Sequence, residues 1–266
     1  MTAVHHLMVP GLARRHLDTG WLRVTVDDPP DRRAELVATF PFSIASLEAT
    51  LLTGRTPREH GRLHVSDHFG GERVDATGAV EHEVDDAIAR ALLVDGFGSE
   101  AERKASVQVN AHIVRLRSSG VPVVITGGPA FARVDRMPAL ERAAICSGGA
   151  MAAVDRAPGP AERAALLATP GVERLLEGDG LRSWHGPDLP AVLVAEPGWS
   201  FTEGRAAVGH REIDDDRDAA VVLAWGAGDG PWPAAVHDLR VAPTLARVAG
   251  IEDFEATDGP LPWGQP

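Results

Sequence analysis

Short apolar runs alternate with amphipathic stretches along this chain, and the alternation predicts an α/β fold with a largely parallel sheet. Strands are expected at Leu36–Phe40, Val121–Thr126, Ala191–Ala195 and Ala219–Ala224. The second is β-branched throughout apart from Pro122, as suits a buried strand, and the proline falls at its first residues, where no ladder donor is lost. Helices are expected at Ile44–Thr53, Glu100–Arg117, Ala161–Leu167 and Ala242–Ala249. In the longest, Ala101, Ala105, Val109, His112, Ile113 and Leu116 form one stripe, with Gly120 as the expected C-cap. Pro160 and Pro243 suit first-turn positions. Asp27–Arg33, Phe69–Val84 and Asp253–Pro266 are polar or rich in Gly and Pro and read as loops or a tail.

Composition narrows the function classes. With 26 Lys+Arg against 38 Asp+Glu the formal charge is −12, which argues against binding a nucleic-acid backbone, since that needs clustered cations. The apolar fraction of 44% and the 266 residues suit one hydrophobic core near its upper size. No apolar run approaches the length of a membrane span, and the N-terminus has no secretory pattern, so no membrane partner and a cytoplasmic location are expected. Cys146 is the single cysteine, which excludes an intrachain disulfide and fits a reducing compartment.

The most specific signal is Phe40-Pro-Phe-Ser-Ile-Ala-Ser-Leu-Glu-Ala-Thr-Leu-Leu-Thr-Gly-Arg-Thr-Pro-Arg-Glu-His-Gly61. It resembles the nucleophile segment of the type I phosphodiesterase/nucleotide pyrophosphatase branch of the alkaline phosphatase superfamily. There a strand ends in Pro, a nucleophilic Thr follows, and a helix ends in Thr-Gly…Pro…Glu-His-Gly. Other pieces fall in the family's order. Met8-Val-Pro-Gly-Leu12 lies where the family has a strand ending in an Asp-Gly ligand, and Val123-Val-Ile-Thr-Gly-Gly-Pro129 where it has Ser-Asp-His-Gly. Ala195-Glu-Pro-Gly-Trp-Ser-Phe201 leads towards Val208-Gly-His210, which matches the last metal-binding His, and Val241–Ile251 is similar to the closing helix. The resemblance implies a doubly wound, mostly parallel sheet with helices on both faces, reduced and without a separate cap domain. It implies one such domain over residues 1–252, followed by a Pro/Gly-rich tail, 253–266.

The family's hydrolysis uses two metal ions, typically zinc, to activate the Thr oxygen and stabilise the departing charge. Position by position, the chain does not supply the groups. The first Asp becomes Pro10, the nucleophile Ile44, and the Asp-His pair Gly128-Pro129. Leu93-Val-Asp-Gly-Phe-Gly98 is too short for the family's Asp-x-x-x-His loop, with Asp95 its only relic. His210 alone survives as a ligand, and one imidazole cannot hold a catalytic zinc. No cofactor is therefore expected, and zinc only if the ligands are misaligned.

Each remaining chemical candidate has a plainer reading. Ser43 and Ser46 flank Ile44 and could replace the nucleophile if the register slips, but Ser43 also suits an N-cap. His60, His64 and His68 recur every four residues, as metal ligands on a helix would, yet Gly61 and Gly70-Gly71 interrupt such a helix. Asp214-Asp215-Asp216 with Asp218 could take a hard cation or form a solvated loop, and Cys146-Ser-Gly-Gly149 could be a reactive-thiol loop or hold an inert thiol. His5, His6, His16, His82, His112, His185 and His237 have no discernible partner and default to surface or satisfied core histidines.

Three functions follow. The first is a pseudoenzyme that binds a small molecule or partners an active paralogue. The second is a metal-independent enzyme of small-molecule metabolism using the same cleft. The third is a metal-dependent phosphodiesterase/pyrophosphatase with ligands elsewhere. The lost ligands favour the first two. The rim expected to gather Pro10, Ser43, Ile44, Ser46, Gly127, Gly128 and His210 should suit a neutral or weakly polar ligand.

Overall fold

The computed structural model describes residues 3–39, 43–63, 70–128, 131–132, 136–140, 144–145, 150–154, 156–181, 185–186, 188–196, 198–201, 207–208, 219–228 and 231–263. Its strands in chain order are β1 (Val4–Val9), β2 (Arg32–Val37), β3 (Val80–Val84), β4 (Val123–Gly127), β5 (Phe131–Ala132), β6 (Ala144–Ile145), β7 (Met151–Val154), β8 (Val172–Glu177), β9 (Ala191–Ala195), β10 (Ala207–Val208), β11 (Val221–Trp225) and β12 (Ala235–His237). The helices are α1 (Arg14–Asp18), α2 (Val24–Asp27), α3 (Ile44–Thr53), α4 (Pro57–His60), α5 (Ala87–Asp95), α6 (Glu100–Arg117), α7 (Pro160–Leu167) and α8 (Val241–Ala249).

The central sheet has the order β12-β2-β11-β4-β1-β3. β1 pairs in parallel with both β3 and β4, β12 in parallel with β2, and only β11 runs against its neighbours. Successive side chains of a strand point to opposite faces, and here both faces are apolar. Val4, Met8, Val124 and Val222 meet Leu47 and Leu51 of α3 and Leu245 of α8. Leu7, Val9, Ile125, Val221 and Leu223 meet Ile88 and Leu92 of α5 and Val109 and Ile113 of α6. Helices thus cover both faces, the doubly wound arrangement. A second, antiparallel sheet, β6-β7-β9-β8, packs a smaller core of Ala152, Val172, Leu193 and Phe201.

Several elements depart from the sequence reading. The strand expected at Leu36–Phe40 runs instead over Arg32–Val37, so the end of the Asp27–Arg33 loop belongs to it. Ala34 and Leu36 face inward while Arg33 and Glu35 face out, and that alternation with charges disguised the strand. Val80–Val84, read as loop, is the edge strand β3. Its polar residues find partners across the sheet, as in His5 Nδ1 to Glu81 at 3.0 Å. On α6 the buried stripe includes Glu102 and Ser106, while His112 sits beside it, its ring between Asp85 and Glu83 at 2.9 and 3.0 Å. The helix closes on Ser118, with Gly120 at φ 75° two residues later.

Candidate functional site

Residues 43–61 of the segment that resembles the nucleophile stretch form α3 and α4, with α3 packed on the central sheet. Ser43 is extended, and its hydroxyl accepts the Ser46 N–H at 3.0 Å while donating to the Leu63 carbonyl at 3.0 Å. It is thus the N-cap of α3, which satisfies one of the orphan donors of the first turn. Ser46 is buried one turn into the helix. Ile44, at the first helical position, packs against the apolar clusters on both sheet faces. A side chain can reach both only where the sheet ends, so Ile44 lies at the rim and closes it with hydrocarbon.

The rest of the motif is a staple. Gly54 ends α3 in the left-handed conformation, and Glu59 accepts from the Thr56 N–H and hydroxyl at 2.7 and 2.8 Å. His60 is buried. Its Nδ1 accepts the Arg62 N–H at 3.0 Å, which leaves Nε2 to carry the proton towards the Thr50 hydroxyl at 3.1 Å. Burial lowers its pKa to about 4, so the ring is neutral and both nitrogens are committed to holding α4 against α3. His64 and His68, its proposed companions, lie outside the described residues, as do His210, Cys146 and Asp214–Asp218.

The other histidines have partners that the sequence did not signal. His6 is fully buried on β1, with Nε2 3.0 Å from the Thr126 hydroxyl and Nδ1 3.1 Å from Nδ1 of His82 on β3. One of the facing nitrogens donates and the other accepts. Burial, reinforced by the adjacent His82, holds the His6 pKa well below 6.5. His82 lies 3.7 Å from Glu48 of α3, and the nearby imidazole keeps that carboxyl below its usual range, assisted by Arg62. His16 accepts the Ala13 N–H and faces the buried Glu102 at 3.1 Å. Burial pushes that carboxyl up, but His16, the Gly98 N–H and Arg15 together hold it below its usual value.

Around the rim, Pro10 and Gly128 touch. A Cβ on Gly128 would lie 2.9 Å from the Pro10 Cα. Among the described residues, no three His, Cys, Asp or Glu side chains converge as a metal site. On the face opposite α3, a groove of about 450 Å³ opens between α1 and β2. Within it Asp18 lies 3.6 Å from Arg14 and 3.5 Å from Arg33.

Comparison with solved structures places this architecture. Murine ectonucleotide pyrophosphatase/phosphodiesterase 5 superposes with a TM-score of 0.66 at 10% identity, covering 97% of each chain. The chain has that protein's fold. An inactive form of the same murine protein in complex with AMP gives 0.65, again at 10% identity and 97% of both chains. No family model matches the sequence, and no curated protein matches it. No described helix is long and apolar enough to cross a membrane.

Proposed function

We propose that this chain is a pseudoenzyme of the alkaline phosphatase fold, kept as a small-molecule-binding or scaffolding protein, with an active paralogue as a candidate partner. Ile44 carries the reading. The resemblance puts the attacking oxygen at this first position of α3, where helix N–H groups favour a phosphoryl oxyanion. A hydrocarbon wedged between two apolar clusters supplies neither nucleophile nor ligand. The neighbouring hydroxyl of Ser43 is engaged as a cap and to Leu63, so it has no base to activate it among its partners.

The murine protein is held with AMP, so AMP is the first ligand to try. Without metal to neutralise its phosphate it should bind this chain weakly, and an uncharged ligand better. The test is a paired measurement on the purified chain: zinc content, and turnover of an aryl phosphodiester with and without added zinc. Near-zero zinc and no turnover are expected. Zinc-dependent turnover would restore the phosphodiesterase reading. Conversion of a small metabolite without zinc would replace the pseudoenzyme with a metal-independent enzyme in the same cleft.

A further inference from the structure

Ligands of open α/β sheets sit outside the carboxyl ends of the strands. Between β1 and β4 that place is taken by the chain's own backbone. After β1, Leu12 N–H turns back to the Val9 carbonyl at 3.0 Å, and the chain then crosses the end of β4 to join β11. There Ala13 bridges Ala220, and Arg14 N–H donates to the Ala219 carbonyl at 2.9 Å. Leu12 and Ala13 are wholly buried.

Two glycines permit this crossing. A Cβ on Gly127 would stand 2.3 Å from the Leu12 oxygen and 2.9 Å from the Val221 nitrogen, and one on Gly128 would stand 2.9 Å from Pro10 Cα and 3.3 Å from Gly11 N. All four obstacles are backbone atoms, which cannot swing aside as a flexible side chain would. Neither glycine has a positive φ, so each is glycine for room and not for conformation.

We infer that the Pro10–Leu12 turn is a built-in plug, seated on Gly127 and Gly128, that fills the space at the ends of β1 and β4 and bars a divalent cation from it. The inference deepens the proposed function and rests on it for the identity of the crevice. A carboxylate ligand needs two bonds beyond Cβ before its oxygen reaches the metal. On residue 128 the Cβ itself already meets backbone. The crevice has therefore lost its space as well as its ligands, and restoring side chains one by one cannot reopen it.

The test uses the full chain. Gly127→Ala and Gly128→Ala should each lower Tm by several degrees. Gly259→Ala, at a glycine with nothing within 4 Å and no positive φ, should leave it within about a degree. Unchanged melting in both rim variants would overturn the plug. If they fail to fold, the unmodified protein decides: with millimolar zinc its Tm should stay constant and no zinc should remain after desalting. Stoichiometric retention with a raised Tm would show an open crevice. The plug occupies only the ends of β1 and β4 over Gly127 and Gly128, so metal-free turnover of a small metabolite beside α3, with the rim variants destabilised and no zinc retained, would sink the pseudoenzyme reading alone.

Discussion

The carboxylate of Asp238 accepts both the main-chain N–H and the hydroxyl of Thr39, at 2.7 and 2.5 Å, and so ties the end of β12 to the end of β2. Asp238 is buried, and it also accepts the Leu239 N–H at 2.8 Å, on the approach to α8. The chain from Thr39 leads to α3, so this pair helps to fix where Ile44 stands. Charge-assisted bonds of this kind contribute about 1.5–3 kcal/mol each, and leaving the buried donors unpaired costs more. Asp238→Ala should therefore destabilise the fold by about 3 kcal/mol or more in denaturant titration. Thr39→Val, which removes only the hydroxyl, should cost less. In a double-mutant cycle the two should couple strongly, and additive effects would mean that the contact does not form.

A second expectation concerns acid. The unfolded chain titrates its histidines near 6.5, whereas native His60 resists protonation down to about 4 and native His6 to well below 6.5. Protons that only the unfolded state accepts drain native stability, so stability present at pH 7.5 should be lost as pH falls through 6.5 towards 4. His237 acts in the other direction. Its hydrogen bond to Asp238 raises its pKa, so its contribution is intact below 6.5 and is lost as pH rises through the raised native value. Being partly exposed, it should be the weaker influence. Thermal melts at pH 5 and pH 7.5 check the balance, with the lower Tm expected at pH 5 and a smaller difference in His60→Gln.

The helices nearest the site were legible in the sequence. α3 and α6 have the expected bounds because each carries its own start and stop signals: Ser43 and Gly54 for one, Ser99 and, just past its end, Gly120 for the other. The buried strands β4 and β9 were legible as apolar runs. What stayed hidden is long-range. His6 meets His82 and Thr126 across separations of 76 and 120 residues, and no local pattern encodes a partner so distant. β3 escaped because an edge strand carries charge on its open side without cost. The sequence reading brings Pro10 to the same rim as Gly127 and Gly128, but it did not show main chain crowding both glycines, since a glycine needed for room reads in sequence like any turn glycine.

Ile44→Thr alone should restore no chemistry. The substitution puts a hydroxyl where the resemblance places the nucleophile, but without metal or base the oxygen stays protonated and inert. It also removes hydrocarbon from a contact with both core clusters, at a cost of about 1 kcal/mol. A slightly lower Tm and no turnover of an aryl phosphodiester, with or without zinc, are expected. Zinc-dependent product formation in this variant would reveal a metal centre beyond the described residues.

Strong chelator should leave the melting temperature unchanged. Metal sites that supply folding energy are lost with their metal, whereas the buried histidines described here are held by hydroxyls, main-chain groups and carboxylates. A fall of many degrees in EDTA would contradict that account.

The C-terminal stretch should prove indispensable although it contains no helix or strand among its described residues. Leu261 is 1% exposed, and Phe254 and Trp263 pack against the cluster under α3 and α8. Main-chain bonds secure it at both ends: Thr257 N–H to the Gly54 carbonyl at 2.9 Å, and Leu261 N–H to the Thr244 hydroxyl at 2.8 Å. Arg240 clasps the carbonyls of Gly259 and Pro260, and the Trp232 indole donates to the Pro262 carbonyl at 2.8 Å. A chain ending at Glu252 would expose this apolar surface of α8 and leave the Trp232 ring without its cover. Leu261→Ala by itself should cost about 2–5 kcal/mol, the range for emptying a buried leucine site. The truncation should cost more and shift the emission of Trp232 to the red. If the truncated chain melts at the temperature of the full one, the packing of residues 254–263 contributes nothing to the fold.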